Sequence, residues 1–201
     1  ILNTINGDSN VAFFRALRKA GVTPADTPTV SFSVSEQELQ TMGVESMVGD
    51  YACWNYFQSV ESEENRRFIR RFKDRYGEDR VVTDPMEAAY FGVYLWVEAV
   101  KYAGTFVTER VLEALPGQSY DAPEGLVHID GRNNHCWKRA RVGQIISSGQ
   151  FETRWDSGRA LRPIPYPSYR SRAEWNGFVE GFYTEWGGNW AKPVSKSVQG
   201  G

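Results

Sequence analysis

The stretch Asn6-Gly7-Asp8-Ser9-Asn10 decides the fold class, because of what lies on either side of it. It follows a short apolar segment, residues 1–5, and precedes an amphipathic run, residues 11–20, that Gly21 ends. A strand followed by a polar loop and a helix is typical of α/β proteins. In open α/β sheets, ligands bind beyond the carboxyl ends of the strands, where loop side chains and free helix N-terminal amides meet. The sequence therefore predicts a ligand-contacting loop close to its first residue.

The composition excludes several classes of protein. Of 201 residues, 41% are hydrophobic and 24% are charged, which is ordinary for a globular protein. A net charge of −2 argues against nucleic-acid binding, because such proteins usually carry a clustered basic excess. The basic residues between Arg66 and Lys73 follow several glutamates, a pattern that indicates a solvated helix face. No window reaches the roughly 18–20 apolar residues of a membrane span, so we expect no direct membrane insertion.

Helices alternate with short strands in the first half of the chain. Three segments match the capping-box pattern, beginning at Ser35, Asp84 and Ser171. The second is the fullest match, with proline next in sequence, so we predict Asp84 as an N-cap and Glu87 as its partner. The helix it opens is apolar on most faces and is expected to be largely buried. The predicted helices cover 11–20, 35–42, 62–76, 85–102, 108–115 and 171–182, and the first three strands cover 1–5, 29–33 and 51–56.

The pattern changes after Pro116. Residues 126–129, 138–146 and 150–155 are predicted to form one antiparallel set of strands. The segments 131–134 and 147–149 supply the turns between them. An extended, proline-containing connector over 162–167 leads to the last helix, and a polar tail follows from Ser195 to Gly201.

The candidate residues favour binding over catalysis. Neither His128 nor His135 lies in a nucleophile motif, and the adjacent pair His135-Cys136 would point to opposite faces of a strand. Their spacing does not match a zinc site, and no glycine-rich nucleotide loop is present. We therefore expect no enzymatic activity, no metal and no cofactor. Cys53 and Cys136 are consistent with one disulfide or with two thiols.

Polar or aromatic residues follow three successive predicted strands. If these strands are parallel neighbours, their ends line one rim. That rim offers carboxylates, hydroxyls, an amide and aromatic walls. It would suit a small uncharged solute with both N–H and C=O groups, since each buried polar group needs a partner. The same residue types are favoured helix caps, so a purely structural use remains open. The predicted ligand-binding residues are Asn6, Asp8 and Ser9 after the first strand, Ser33, Val34 and Glu36 after the second, and Trp54 and Asn55 after the third.

Several motifs, in this order, resemble the urea and short-chain-amide branch of the substrate-binding proteins of ABC transporters. The resemblance runs from Ile1 to Pro193, and amide-sensing regulators of the same fold share much of it. The motifs are NTINGDSN (3–10), SFSVSE (31–36), WNYF (54–57), YDAPEG (120–125), NNH (133–135) and WGGNWA (186–191).

The resemblance implies an α/β protein of the type I periplasmic-binding fold, in which two lobes joined by three crossovers close on a solute. It also implies that this chain is the C-terminal half of such a protein, and the absence of an initiator methionine fits that expectation. Residues 1–58 are then expected to form part of the second lobe, with the order β-α-β-α-β. Residues 59–119 form a crossover and first-lobe helices, 120–170 a crossover and antiparallel strands, and 171–201 the C-terminal helix and tail.

The function implied is a periplasmic, or extracellular and membrane-tethered, receptor that delivers urea or a short amide to ABC permease subunits. A cytoplasmic amide-sensing regulator of the same fold is the alternative. A signal peptide would favour the receptor, and a plain methionine start would favour the sensor. A third hypothesis is a small amide hydrolase that uses Cys136 and His135. It predicts turnover that Cys136→Ala abolishes.

Overall fold

A five-stranded mixed sheet organises the larger of the two units into which the chain divides, Ile1–Pro163 and Ile164–Gly201. The structure is a computed structural model that describes residues 1–191. The helices are α1 (Ser9–Lys19), α2 (Glu36–Met42), α3 (Glu63–Tyr76), α4 (Asp84–Ala103), α5 (Thr108–Ala114) and α6 (Arg172–Glu185), with a short 3₁₀ helix at Val44–Ser46. The strands are β1 (Leu2–Asn3), β2 (Val30–Ser31), β3 (Tyr51–Trp54), β4 (Ser119–Ala122), β5 (Gly125–Ile129), β6 (Cys136–Trp137), β7 (Arg141–Ile145) and β8 (Phe151–Asp156).

The five-stranded sheet has the order β1-β2-β3-β7-β8. Its first three strands are parallel: β1 pairs with β2, and β2 with β3. β7 runs antiparallel to both β3 and β8. The carboxyl ends of β1, β2 and β3 therefore lie at one edge of the sheet, together with the first residue of β7. The predicted β-α-β-α-β rhythm of the first half of the chain is confirmed.

The later strands do not form the single antiparallel set expected from the sequence. β5 pairs with β4 and β6 in a separate three-stranded sheet, whereas β7 and β8 extend the larger sheet. Residues 138–146 were predicted as one strand, but only Arg141–Ile145 form β7. Residues 138–140 instead connect the smaller sheet to the larger one. Alternating apolar residues predict that a segment is a strand, but they do not specify its partner.

Each sheet has its own apolar core. The core of the larger sheet combines residues of α1 and α2 with strand residues and the stacked rings of Phe57 and Phe151, whose centroids are 4.6 Å apart. The core of the smaller sheet packs Phe91 and Leu95 of α4 against Val127 and Ile129 of β5. α4 therefore packs with the smaller sheet.

The prediction that α4 is largely buried is wrong. Its buried stripe is narrow and includes Phe91, Leu95 and Ala99. Val93, Trp96 and Tyr102 are 60%, 45% and 80% exposed. Within residues 1–191, α4 packs on one side against the smaller sheet and α5, and its apolar residues at other positions face away from them. No helix in this range has the length and apolar character needed to cross a bilayer.

The second unit contains one described helix, α6. Ser171 begins it with the predicted capping box, in which its backbone N–H donates to Glu174 Oε2 at 2.7 Å. The Arg170 guanidinium lies over the rings of Trp175 and Phe178, at 4.9 and 5.0 Å from their centroids. The tail predicted over 195–201 lies outside the described residues.

Candidate functional site

The loop after β1 is held by buried amides and carries exposed polar side chains. Asn10 is fully buried and donates to the Ile5 carbonyl oxygen at 2.9 Å. It also accepts a hydrogen bond from Asn3 Nδ2 at 2.8 Å. These bonds fix the turn, so that three of the predicted residues, Asn6, Asp8 and Ser9, are exposed at its surface. The structural role of Asn3 and Asn10 was not predicted, although both lie in the motif NTINGDSN (3–10).

Asp8 is the residue of this loop best able to meet a ligand. It lies at the N-cap position of α1, but its side chain makes no capping hydrogen bond. The first turn of α1 contains no acidic residue, so Asp8 supplies the negative charge near that helix end. Its exposed carboxylate can accept hydrogen bonds from a solute N–H group.

The loop after β2 contacts both neighbouring strand ends. The Ser33 hydroxyl donates to the Ile5 carbonyl oxygen, which joins the first and second loops. The Trp54 indole N–H donates to the Val34 carbonyl oxygen at 2.8 Å, which joins the second and third. The structure thus brings the three predicted strand ends together. Ser33 and Trp54 are half-buried, whereas the Val34 side chain is fully buried in the core.

Glu36 points into the protein. It is 1% exposed, and its Oε1 accepts a hydrogen bond from the Gln58 backbone N–H at 2.7 Å. The pKa of its carboxyl group is raised to about 7, mainly by burial and in smaller part by the nearby Asp84 carboxylate. The capping role in this helix belongs instead to Glu38, whose Oε2 accepts from the Ser35 N–H at 2.8 Å.

Asn55 is turned toward the segments that join the two sheets. Its backbone N–H donates to Asp84 Oδ2 at 3.0 Å, and its side-chain amide donates to the Arg139 carbonyl oxygen at 2.5 Å. Its carbonyl oxygen accepts from the Arg141 guanidinium. The backbone N–H, the backbone carbonyl and one side-chain N–H of Asn55 are therefore used within the protein, although Asn55 was predicted to contact a ligand.

A buried group of carboxylates near Asn55 was not predicted. The predicted capping box at Asp84 is wrong: Thr83 is the N-cap of α4, and Asp84 Oδ2 accepts from the backbone N–H groups of Asn55 and Tyr56. Glu87 is fully buried and accepts from the Glu124 N–H at 3.2 Å. The sequence matched a local pattern, but these carboxylates are used by backbone groups at least 28 residues away.

Burial raises the pKa of Glu87 to about 8 and that of Glu124 to about 7. Repulsion from Glu124 contributes to the shift of Glu87, and Lys138 opposes both shifts. Lys138 Nζ lies 3.6 Å from Glu124 Oε2 and 4.0 Å from Asp84 Oδ2. Among residues 1–191, no group donates a hydrogen bond to Glu36 Oε2, Glu87 Oε2 or either carboxylate oxygen of Glu124.

The cysteines do not support the hydrolase hypothesis. Cys53 and Cys136 are both free and half-buried. Burial raises the pKa of the Cys136 thiol, whereas a nucleophilic cysteine needs a lowered pKa. The His135 ring nitrogen Nδ1 lies 2.9 Å from the Asn133 carbonyl oxygen. Within the described part of the chain, no group of three His, Cys, Asp or Glu side chains is arranged to hold a metal ion.

The family model described as "Periplasmic binding protein domain" matches residues 1–172. The chain belongs to this family. The match covers the whole of the first unit and the start of the second, and so includes every residue of the candidate rim. Members of the periplasmic binding protein family are receptors and not enzymes, and the mixed five-stranded sheet agrees with their α/β fold.

Two curated relatives match part of this periplasmic binding protein chain. Limonene hydroxylase from Geobacillus stearothermophilus is 34% identical over 124 residues, which are 62% of this chain and 22% of that protein. Leu/Ile/Val-binding protein homolog 6 from Brucella abortus is 29% identical over 116 residues, 56% of this chain and 29% of that protein. The matched residues thus span less than a third of the length of either relative. The name limonene hydroxylase assigns no activity to this chain.

Solved structures show the same fold. A leucine-binding protein from Thermotoga maritima has a TM-score of 0.65 and 18% identity, over 78% of this chain and 43% of its own. A solute-binding protein of an ABC transporter from Rhodopseudomonas palustris, in complex with 3,4-dihydroxybenzoic acid, has a TM-score of 0.69 and 16% identity. That match covers 80% of this chain and 46% of the other. The expected α/β periplasmic-binding fold is confirmed, and the chain spans less than half the length of these neighbours.

Proposed function

We propose that this chain is part of the solute-binding component of an ABC transporter and that the solute is urea or a short-chain amide. The observation that carries the proposal is the polar rim at the carboxyl ends of β1, β2 and β3 in a chain of the periplasmic binding protein family. Ligands of open α/β sheets bind at that edge. The rim is defined by the exposed loop 6–9, the half-buried Ser33 and the half-buried Trp54.

The charges on the rim favour a neutral solute. Of the eight residues predicted to meet a ligand, none is a lysine or arginine, and Asp8 is the one exposed acid, because Glu36 points into the protein. A solute carboxylate would therefore meet repulsion from Asp8. An amide offers N–H groups to the Asp8 carboxylate and to the Ser33 hydroxyl oxygen, whose own hydrogen is donated to the Ile5 carbonyl oxygen. The carbonyl oxygen of the amide can accept from a backbone N–H.

Binding would occur by closure of two lobes around the solute. A ligand shifts such an equilibrium by the difference in its affinity for the open and closed states. The proposed lobes are those implied by the family resemblance, with 1–58 in one lobe and the helices of 59–119 in the other. A closed, loaded receptor would then be recognised by ABC permease subunits at the outer face of the membrane, which places the protein in the periplasm or tethered outside the cell.

Isothermal titration calorimetry of the full-length protein tests the proposal. Acetamide, urea, leucine and 4-hydroxybenzoate would be injected separately at the same pH and ionic strength. We expect saturable heat for acetamide or urea and none for the two carboxylates. Saturable binding of leucine or 4-hydroxybenzoate alone would refute the amide assignment and retain a solute receptor. The absence of binding by all four would contradict the proposed function.

A further inference from the structure

A cavity of about 270 Å³ lies between α3, α4 and β4, and no residue of the rim lines it. Three half-buried tyrosines contribute to its surface, Tyr90 and Tyr94 from α4 and Tyr120 from β4. The rings of Tyr94 and Tyr120 are stacked with centroids 4.7 Å apart, and the Tyr90 ring lies 4.9 Å from that of Tyr94. Ring packing therefore holds this side of the cavity in place. The other lining residues are Glu64, Arg67 and Arg71 of α3, Asp121 of β4 and Pro123.

The charged residues around this cavity leave one guanidinium group unpaired. The Arg67 guanidinium lies 3.0 Å from Glu64 Oε1, so these two charges offset each other. Among the residues that the structure describes, no carboxylate oxygen lies within 4.0 Å of the Arg71 guanidinium. Asp121 follows Tyr120 in β4, and successive side chains of a strand point to opposite faces, so its carboxylate points away from the face that Tyr120 occupies. The charge that faces the cavity is therefore positive.

The charge of Arg71 acts on the tyrosine hydroxyl groups. Burial is the main cause of the raised pKa of Tyr120, and the Arg71 and Arg67 guanidinium groups oppose that rise. At Tyr94 a hydrogen bond with Tyr90 and burial raise the pKa, and Arg71 again opposes the rise. A positive charge stabilises the ionised form of a nearby phenol, so its effect on both hydroxyls places the Arg71 guanidinium close to them. The cavity thus combines a guanidinium fork with phenol O–H groups that can donate hydrogen bonds.

We propose that this cavity binds the phosphate group of a small solute. The planar fork of an arginine matches two phosphate oxygens, and phenol hydroxyls supply further donors. Residues 63–76 contain six arginine or lysine residues and three acids, so the field of α3 favours a doubly charged anion over a monocarboxylate. The stacked tyrosine rings offer a surface to the planar substituent of a phosphate monoester. The basic run between Arg66 and Lys73, predicted to be a solvated helix face, then has a binding role on one side.

Calorimetry of the full-length protein tests this site, with inorganic phosphate, phenyl phosphate and acetate injected separately at constant ionic strength. Arg71→Gln removes the unpaired guanidinium, and Tyr94→Phe removes one hydroxyl but keeps the stacked ring. Arg75→Gln is the matched control, because Arg75 is exposed on the same helix and does not line the cavity. We expect saturable binding of a phosphate compound, weakened about tenfold or more by Arg71→Gln and about threefold by Tyr94→Phe. Arg75→Gln should bind like the wild type.

Equal losses of affinity in Arg71→Gln and Arg75→Gln would show a general attraction to the charge of α3 and would overturn the proposal. So would the absence of saturable binding by both phosphate compounds, or acetate binding as tightly as phosphate. Tighter binding of phenyl phosphate would support a phosphate monoester as the solute, and equal affinities would support free phosphate. Should Tyr94→Phe fail to fold, the two exposed arginines decide. Since no rim residue lines the cavity, a failure of acetamide to bind would leave these results unaffected.

Discussion

Three carboxyl groups, Glu36, Glu87 and Glu124, are each at most 2% exposed, and each has at least one oxygen without a hydrogen bond from residues 1–191. Removing a charged carboxylate from water is costly unless it is paired. Lys138 is the cation nearest to Glu124, and it lies slightly beyond hydrogen-bonding distance. The folded protein therefore holds protons on these groups at pH values where an unfolded chain releases them.

The free energy of unfolding should fall as the pH rises from about 5 to about 8. The folded pKa values, about 7 for Glu36 and Glu124 and about 8 for Glu87, lie above the ordinary value of 4.5. Their stabilising contribution is fully present below the unfolded pKa and is lost as the pH passes through the folded values. Urea titrations at several pH values measure the slope.

Glu87→Gln should reduce that fall by roughly 2–4 kcal/mol, because an amide in the same place does not ionise. Glu98→Gln on the same helix is the matched control, since the Glu98 side chain is 39% exposed. A wild-type stability that does not change between pH 5 and 8 would contradict the account. Equal slopes in the two variants would also contradict it.

At the scale of secondary structure, β7 passes so close to two aromatic rings that only glycine fits at position 143. A Cβ atom there would lie 2.8 Å from two ring atoms of Phe57 and 2.9 Å from Phe151 Cβ. Both rings belong to the core, so neither can move away freely. The close approach allows the two stacked rings to pack directly on the strand.

Gly143→Ala should therefore destabilise the protein by about 1–3 kcal/mol. Gly92→Ala serves as the opposite case, because a Cβ at position 92 of α4 meets no atom within 4 Å. In a helix interior that change should stabilise by about 0.5–1 kcal/mol. Denaturant midpoints of the two variants, compared with the wild type, check both signs. Equal midpoints would show that β7 does not pack on Phe57 as described.

Ser62 is the N-cap residue of α3. Its hydroxyl oxygen accepts a hydrogen bond from the Asn65 N–H at 3.0 Å, and its O–H donates one to the Pro123 carbonyl oxygen at 3.0 Å. Ser62→Ala removes both bonds and should cost about 0.5–2 kcal/mol of unfolding free energy. Ser147→Ala, in the exposed turn before β8, should change it by less than about 0.5 kcal/mol. If both variants unfold at the wild-type denaturant concentration, the cap does not contribute.

The elements show which features the sequence could predict. The capping boxes at Ser35 and Ser171 were predicted correctly, because both partners lie within one turn. The pattern at Asp84 was equally good but led to a wrong prediction, since the backbone N–H groups of Asn55 and Tyr56, in the segment after β3, bind its carboxylate instead. The same limit applies to the division of the strands between two sheets, which depends on pairing between distant segments.

At the scale of the whole molecule, the sequence predicted that the loops after β1, β2 and β3 lie close together. This could be predicted because parallel strands place their carboxyl ends at the same edge of a sheet. The sequence did not predict that Val34 and Glu36 are buried, or that Asn55 bonds to Asp84, Arg139 and Arg141. Their side-chain environments depend on helices and turns that the residues around them do not specify. The predicted lobe boundaries at residues 58, 119 and 170 stay predictions.

The exposed face of α4 also belongs to this scale. Val93 and Trp96 lie one turn apart on the same face of α4 and are 60% and 45% exposed, and the chain spans less than half the length of its structural neighbours. Isolated exposed apolar residues are normal at protein surfaces, but two large ones side by side on a helix are less common. Further segments of the full-length protein would have room to pack on this face of α4, so solute binding should be measured on the full-length protein.

Asp8 provides the most direct test of the central claim, that the strand-end rim binds the solute. Acetamide would be titrated into the full-length wild type, Asp8→Ala and Asp26→Ala. Asp26 is an exposed acid in the loop before β2, at the opposite edge of the sheet. We predict that Asp8→Ala weakens binding by about tenfold or more, as the loss of a charged hydrogen-bond acceptor should. Loss of the charge at the start of α1 should lower the melting temperature of Asp8→Ala by no more than about 4 °C, and Asp26→Ala should bind like the wild type. Wild-type affinity in folded Asp8→Ala would contradict the claim.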